Sequence, residues 1–191
     1  MTEKDWRVLV VSSSEKGNDF ISKHIDSDCV VDYANSGAEA RQKIAEIEYN
    51  AVLINCPLKD EFGTELAENI IMDYYSGVLL FVKSETYDVV SYQMEKIGAF
   101  CIAKPVSPFA FLQGIRLAIA SNQRLKSLAK KTESLKDKME EIKLVGRAKL
   151  LLITKLSFSE EEAHKYIEKQ AMDRCVKKTV IACDIIKNYS D

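Results

Sequence analysis

The 191-residue chain is 47% hydrophobic and 29% charged, with a formal net charge of −2, which suits one large domain or one domain with an appendage. Its five cysteines (29, 56, 101, 175 and 183) form no CxxC pair and its two histidines lie far apart, so no zinc pattern emerges and reduced, packed thiols of a cytoplasmic protein are expected. No apolar run approaches membrane-spanning length and no leader pattern opens the sequence, so no membrane association is expected.

The first half alternates strand-like and helix-like segments. RVLVV (7–11), AVLIN (51–55) and VLLFV (78–82) are short, continuous apolar runs, as expected of strands buried on both faces. CVVDY (29–33) and FCIA (100–103) are weaker cases. Helical stretches are predicted near 16–26, 36–48, 62–74 and 87–97, the second opening on Asn35-Ser36 as a cap. Five β-α units predict an α/β fold, a doubly wound five-stranded parallel sheet with ligands at the C-terminal edge of its strands. Neither GxGxxG nor GxxxxGK[ST] occurs, which argues against a nucleotide site.

Asn55 stands eight residues before Gly63, and Lys104-Pro105 follows the last strand. In these spacings residues 5–120 resemble the receiver domain of two-component response regulators, where a cis Lys-Pro bond is frequent. The resemblance implies an acceptor aspartate, two further acids for Mg²⁺, a Ser/Thr and a lysine. Here the acceptor position is Asn55, the acids are Ser12 and Ser13, and the Ser/Thr position is Lys83, leaving Lys104 alone. An amide cannot form the acyl phosphate that a carboxylate forms, and two serines make a poor site for a hard divalent cation. A degenerate pocket, a pseudo-receiver closed to phosphotransfer, is therefore expected, with no catalytic residue, metal or cofactor. Two lysines about 6 Å apart at an effective dielectric of about 20 would repel by roughly 2–3 kcal/mol. Either Lys83 and Lys104 are bridged to Glu15, Asp60 or Glu85, or an anion or an acidic partner residue lies between them.

From Pro108 onward no proline occurs and Gly114 and Gly146 are the only glycines, so the last receiver helix can run on into the C-terminal segment. Ala118, Ser121, Leu125, Leu128, Thr132, Leu135, Met139 and Ile142 follow the 3,4 spacing of a coiled coil. Arg124, Lys131 and Lys138 flank the seam on one side and Lys136 and Lys143 on the other, so that in a parallel pair Lys131 would meet Lys136 and Lys138 would meet Lys143. Each exposed clash costs only ~0.5 kcal/mol, against ~1.5–3 kcal/mol for a buried Leu. A homodimer, parallel or antiparallel, is expected. The rivals are pairing with an acidic partner and a single solvated helix.

Charge divides the chain. Residues 1–120 hold 11 Lys/Arg against 18 Asp/Glu, a net of −7, and residues 121–191 hold 16 against 11, a net of +5. The basic end is the one suited to a polyanion. Within it, 148–186 is predicted to form three short amphipathic helices that pack on one another. Ser159 and Glu162 form a capping box. Ala163, Tyr166, Ile167, Gln170 and Ala171 recur on one face, with Tyr166 assigned to the core.

Ala148-Lys149, then Leu-Ser-Phe-Ser-Glu-Glu-Glu-Ala (156–163), then Gln170-Ala171-Met172-Asp173-Arg174 resemble the ANTAR domain, an RNA-binding three-helix output module of bacterial antiterminators. Leu150, where the family has glycine, and Lys178, where it has an apolar residue, depart from the pattern. Lys149, Arg174, Lys177 and Lys178 are the candidate RNA contacts, chiefly to phosphates and unstacked loop bases. The expected domains are 1–120 (pseudo-receiver), 121–143 (coiled-coil linker) and 144–191 (ANTAR-like). The resemblance implies a cytoplasmic antiterminator that binds hairpins in nascent leader RNA. Its control would come through a ligand-sensing regulatory protein, as in the amidase-operon antiterminators that share this plan. A DNA-binding regulator and a protein-only adaptor are the alternatives. No nucleophile–base pair, metal cluster or phosphate loop can be assembled for an enzyme.

Overall fold

The computed structural model describes residues 6–189; the extreme ends of the first and last expected domains, 1–5 and 190–191, lie outside the described residues. The apolar runs form five strands: β1 (Trp6–Val11), β2 (Cys29–Ala34), β3 (Ala51–Asn55), β4 (Gly77–Lys83) and β5 (Phe100–Lys104). All neighbours pair in parallel, in the order β2-β1-β3-β4-β5. This is the doubly wound order that places a ligand crevice beyond the strand C-termini where the order reverses, beside β1 and β3.

Successive strand residues face opposite layers. Leu9, Val11, Val52, Ile54, Leu80 and Val82 form one core with residues of α2 (Gly37–Glu46), α3 (Thr64–Asp73) and α4 (Ser84–Glu95). Val8, Val10, Leu53, Leu79 and Phe81 form the other, with Ile21 of α1 (Glu15–His24) and Phe111, Ile115 and Ala118 of α5 (Pro108–Leu156). β1, β3 and β4 are buried along nearly their whole length, whereas the edge strands β2 and β5 are mostly half-buried. Edge position explains why those two carry the weaker apolar runs.

Two glycines are fixed by close contact. A Cβ at Gly77 would lie 2.0 Å from the Ala118 carbonyl oxygen, so β4 can start only where its backbone touches α5. Gly63, at φ 106°, opens α3 from the left-handed region, and a Cβ there would also press on Ile54 at 2.9 Å. Ser36 caps α2 as its sequence suggests, its hydroxyl accepting from the Glu39 N–H at 3.1 Å.

α5 is continuous over 49 residues, as the proline-free stretch after Pro108 allows, so the three C-terminal helices are not all short and separate. The first of the three is the last part of α5, followed by α6 (Glu160–Asp173) and α7 (Lys178–Tyr189). Ser157, at φ 57°, ends α5 from the left-handed region, and the Phe158 N–H returns to the Leu152 carbonyl at 3.4 Å. Ala148, Leu152, Ala163, Ile167, Ile181 and Ile185 then make a third, separate core. Tyr166 is not in it: 41% of the residue is exposed, and its ring meets Phe158 edge-on at 5.7 Å. Ala118, expected in the coiled-coil seam, is fully buried in the sheet core instead. The chain divides into two compact units between Ser127 and Leu128.

Candidate functional site

In the N-terminal unit, the crevice predicted by the strand order is a cleft of about 550 Å³. Ser13, Asn55 and Lys104 line it, as do Lys16 and Gly17 of α1. Ser12 lies beneath, 1% exposed, and its hydroxyl accepts from the Asn55 amide at 2.9 Å and from the Ser14 N–H at 3.2 Å. The residues at the acceptor position and at one acid position are thus bonded to each other. Ser14, the cap of α1, accepts from the Gly17 N–H at 3.2 Å.

Lys83 does not line the cleft, although it pairs in register with Lys104 across β4 and β5. Lys104 is half-buried and donates to the Cys56 carbonyl at 2.5 Å. Desolvation, reinforced by the Lys83 charge, pushes its pKa below the usual lysine range. Neither lysine meets a carboxylate among the described residues, so the bridges expected to Glu15, Asp60 or Glu85 are not made. Asp60 accepts the Gly37 and Ala38 N–H groups at 2.9 and 3.0 Å, which holds its carboxyl below the ordinary range. Glu61 binds Arg41 through two bonds, at 2.6 and 3.0 Å. The Lys104-Pro105 bond is cis, as is Cys56-Pro57, which the sequence did not suggest. All five cysteines are free, and the described residues contain no group of side chains suited to a metal.

In the C-terminal unit the four basic candidates fall into two places. Arg174, Lys177 and Lys178 come together around the α6–α7 turn, where Cys175 at φ 52° reverses the chain. Lys149 sits at the other end of α6 and holds Glu160 at 2.9 Å. Fourteen helical residues separate these places by roughly 20 Å. Arg174 meets Asp184 at 2.8 Å, and Lys178 meets Glu168 at 2.5 Å, with His164 also on Glu168 at 3.3 Å. Lys177 is exposed. Sequence reasoning assigned no RNA contact to the outer face of α6. Lys165, Tyr166, Lys169 and Met172 are all exposed there, at i, i+1, i+4 and i+7 spacing. The signal was the position of Tyr166 at the margin of its apolar stripe, which period alone assigns to either side.

Residues 133–186 match the ANTAR domain family. The C-terminal segment is an ANTAR domain. The chain is also similar to the transcriptional regulatory protein PdtaR of Mycobacterium tuberculosis, at 26% identity over 145 residues, covering 76% of this chain and 71% of that protein. Ahead of the ANTAR domain the fold is receiver-like. The signal receiver domain of an HD domain-containing protein from Pseudomonas fluorescens superposes with a TM-score of 0.60 at 16% identity, covering 65% of this chain and 93% of that one. A CheY-like receiver domain protein from Methanospirillum hungatei gives 0.53 at 24% identity, covering 63% and 98%. At such identities the likeness is one of fold. No helix among the described residues is long and apolar enough to cross a membrane.

Proposed function

We propose that the protein is a transcription antitermination regulator whose ANTAR domain binds hairpins in nascent leader RNA, under the control of a bound partner or ligand. The observation that carries this reading is an ANTAR domain behind a receiver-like unit with Asn55, Ser12 and Ser13 at its acceptor and acid positions. Such a unit lacks the nucleophile and the Mg²⁺ ligands of phosphotransfer, so its signal comes through binding. The similarity to a transcriptional regulatory protein supports the same reading. The working partition is 1–120 as pseudo-receiver, 121–143 as coiled-coil linker and 144–191 as RNA-binding domain.

Arg174, Lys177 and Lys178 contact phosphates at the α6–α7 turn, and Lys149 does so at the far end of α6. Three of the four exchange an internal carboxylate for a phosphate on binding, so their affinity is strongly salt-dependent. Tyr166, between Lys165 and Lys169, offers a face on which an unstacked loop base can lie. The protein acts as a homodimer through the exposed apolar stripe of α5, and a ligand-sensing regulatory protein is the candidate partner.

The test is binding of the full chain to a two-hairpin leader RNA across a salt series. A slope of about 0.7 per neutralised phosphate is expected, so R174Q/K177Q lowers it by roughly 1.4. Tyr166→Ala weakens binding by about 5- to 160-fold at unchanged slope, since stacking is worth ~1–3 kcal/mol per base. Equal affinity for a DNA duplex of the same length would favour a DNA-binding regulator, and absence of any nucleic-acid binding would favour a protein-only adaptor.

A further inference from the structure

The residues that replace receiver acids also change what the cleft can hold. Its lining contains two ammonium groups, Lys16 and Lys104, and no carboxylate. Lys104 is bonded only to a backbone carbonyl, and Lys16 has no ion-pair partner among the described residues. A divalent cation would meet two ammonium groups there and no anionic ligand. The rest of the lining is largely apolar: Phe20, Ile21 and Phe81 from the core side, and Pro57, Pro105 and Val106 from the loops. Phe111 backs this wall, with Phe20 edge-on at 5.5 Å and Phe81 stacked at 5.9 Å. A volume of about 550 Å³ falls within the ~300–1,000 Å³ of small-molecule sites. An inorganic ion would leave the apolar wall wet, and a neutral apolar molecule would leave a half-buried ammonium without a counter-charge.

We propose that this cleft is the binding site for a small organic carboxylate with an apolar body. The carboxylate lies between Lys104 and Lys16, its remaining bonds made to Ser13 and the Asn55 amide, and the apolar body rests on Phe20, Phe81 and Val106. Pro105 and Val106 lead directly into α5, which begins at Pro108, so occupancy acts on the root of the helix that continues into the ANTAR domain. This inference deepens the proposed function, resting on its premise that control comes through binding, and it is tested without RNA so that the two readings can fail separately.

The experiment is calorimetric titration of the full chain with benzoate and hexanoate, their neutral amides, and inorganic phosphate. The expected result is saturable binding of at least one carboxylate, at least tenfold tighter than its amide and than phosphate. Lys104→Gln, Lys16→Gln and Ser13→Asp each weaken it at least tenfold. Lys16 and Ser13 are exposed, so their variants keep the fold even where Lys104→Gln does not, and an unchanged urea transition verifies this. The proposal is overturned if amide and acid bind equally, if phosphate binds as well as the carboxylates, if K16Q and S13D leave affinity unchanged, or if no probe binds saturably. Binding of carboxylate by a protein that ignores leader RNA would keep the cleft and discard the antiterminator.

Discussion

At the scale of single residues, the receiver-like unit has exchanged charge for neutral hydrogen bonding. The Asn55–Ser12 bond satisfies two polar side chains that in an acidic site would need a metal between them. Restoring one acid therefore does not restore the chemistry. Asn55→Asp is expected to gain no phosphoryl group from acetyl phosphate and Mg²⁺, because Ser12 and Ser13 still offer no anionic ligands; intact-mass spectrometry checks this, and a phosphorylated species would contradict it. A second residue-scale prediction concerns Tyr49, 2% exposed, whose hydroxyl donates to Asp32 at 3.0 Å. Burial and the Asp32 carboxylate push its pKa up to about 12. A raised folded-state pKa makes its stabilising effect complete below the unfolded value of about 10, and that effect is lost as pH rises from there through about 12. Tyr49→Phe should cost about 0.5–1.5 kcal/mol at pH 7. In urea titrations at rising pH, the advantage of the native protein over this variant should shrink above pH ~10; a constant gap would refute the assignment.

Among the elements, α5 has two kinds of surface. Phe111, Ile115, Ala118 and Ile119 are buried in the sheet core, and Ala148 and Leu152 in the C-terminal core. Between them, every residue from Lys130 to Lys143 is exposed, and the stripe of Leu135, Met139 and Ile142 stands 63, 60 and 71% open. A helix held by its own propensity alone is marginal at such length, and an apolar stripe of this spacing fits a second copy. Burying each large apolar side chain contributes roughly 1.5–3 kcal/mol, more than the lysine clashes beside it remove. L135D/M139D is accordingly expected to sediment as a monomer at concentrations where the native chain is a dimer. A native chain that is itself monomeric at tens of micromolar (on the order of 10⁻⁵ M) would instead favour the solvated-helix alternative.

For the molecule as a whole, the division between Ser127 and Leu128 nearly coincides with the change in charge sign. A net-negative unit tethered to a net-positive one opposes the approach of a polyanion to it, and salt screens that opposition within ~10 Å at 0.1 M. A fragment of residues 120–191 should therefore bind leader RNA more tightly than the full chain at low salt, and the difference should narrow as salt rises. A difference that persists at high salt would point to contact masking by the N-terminal unit rather than charge.

Local chemistry carried a great deal of this molecule. Continuous apolar runs gave the buried strands because parallel strands need no polar alternation. The Ser159–Glu162 spacing gave the cap of α6, and the absence of proline after Pro108 allowed α5 to run unbroken. Asn55, Ser12 and Ser13 pointed away from phosphotransfer because that chemistry requires particular functional groups at those positions. What only tertiary structure decided is where each ambiguous group ended up. Ala118 left the seam because Gly77 lets β4 approach it, Tyr166 lies outside the C-terminal core with its ring on Phe158, and Lys104 meets the Cys56 carbonyl rather than a carboxylate. Periodicity and spacing describe a chain one segment at a time, whereas partners are allotted among distant segments competing for the same space.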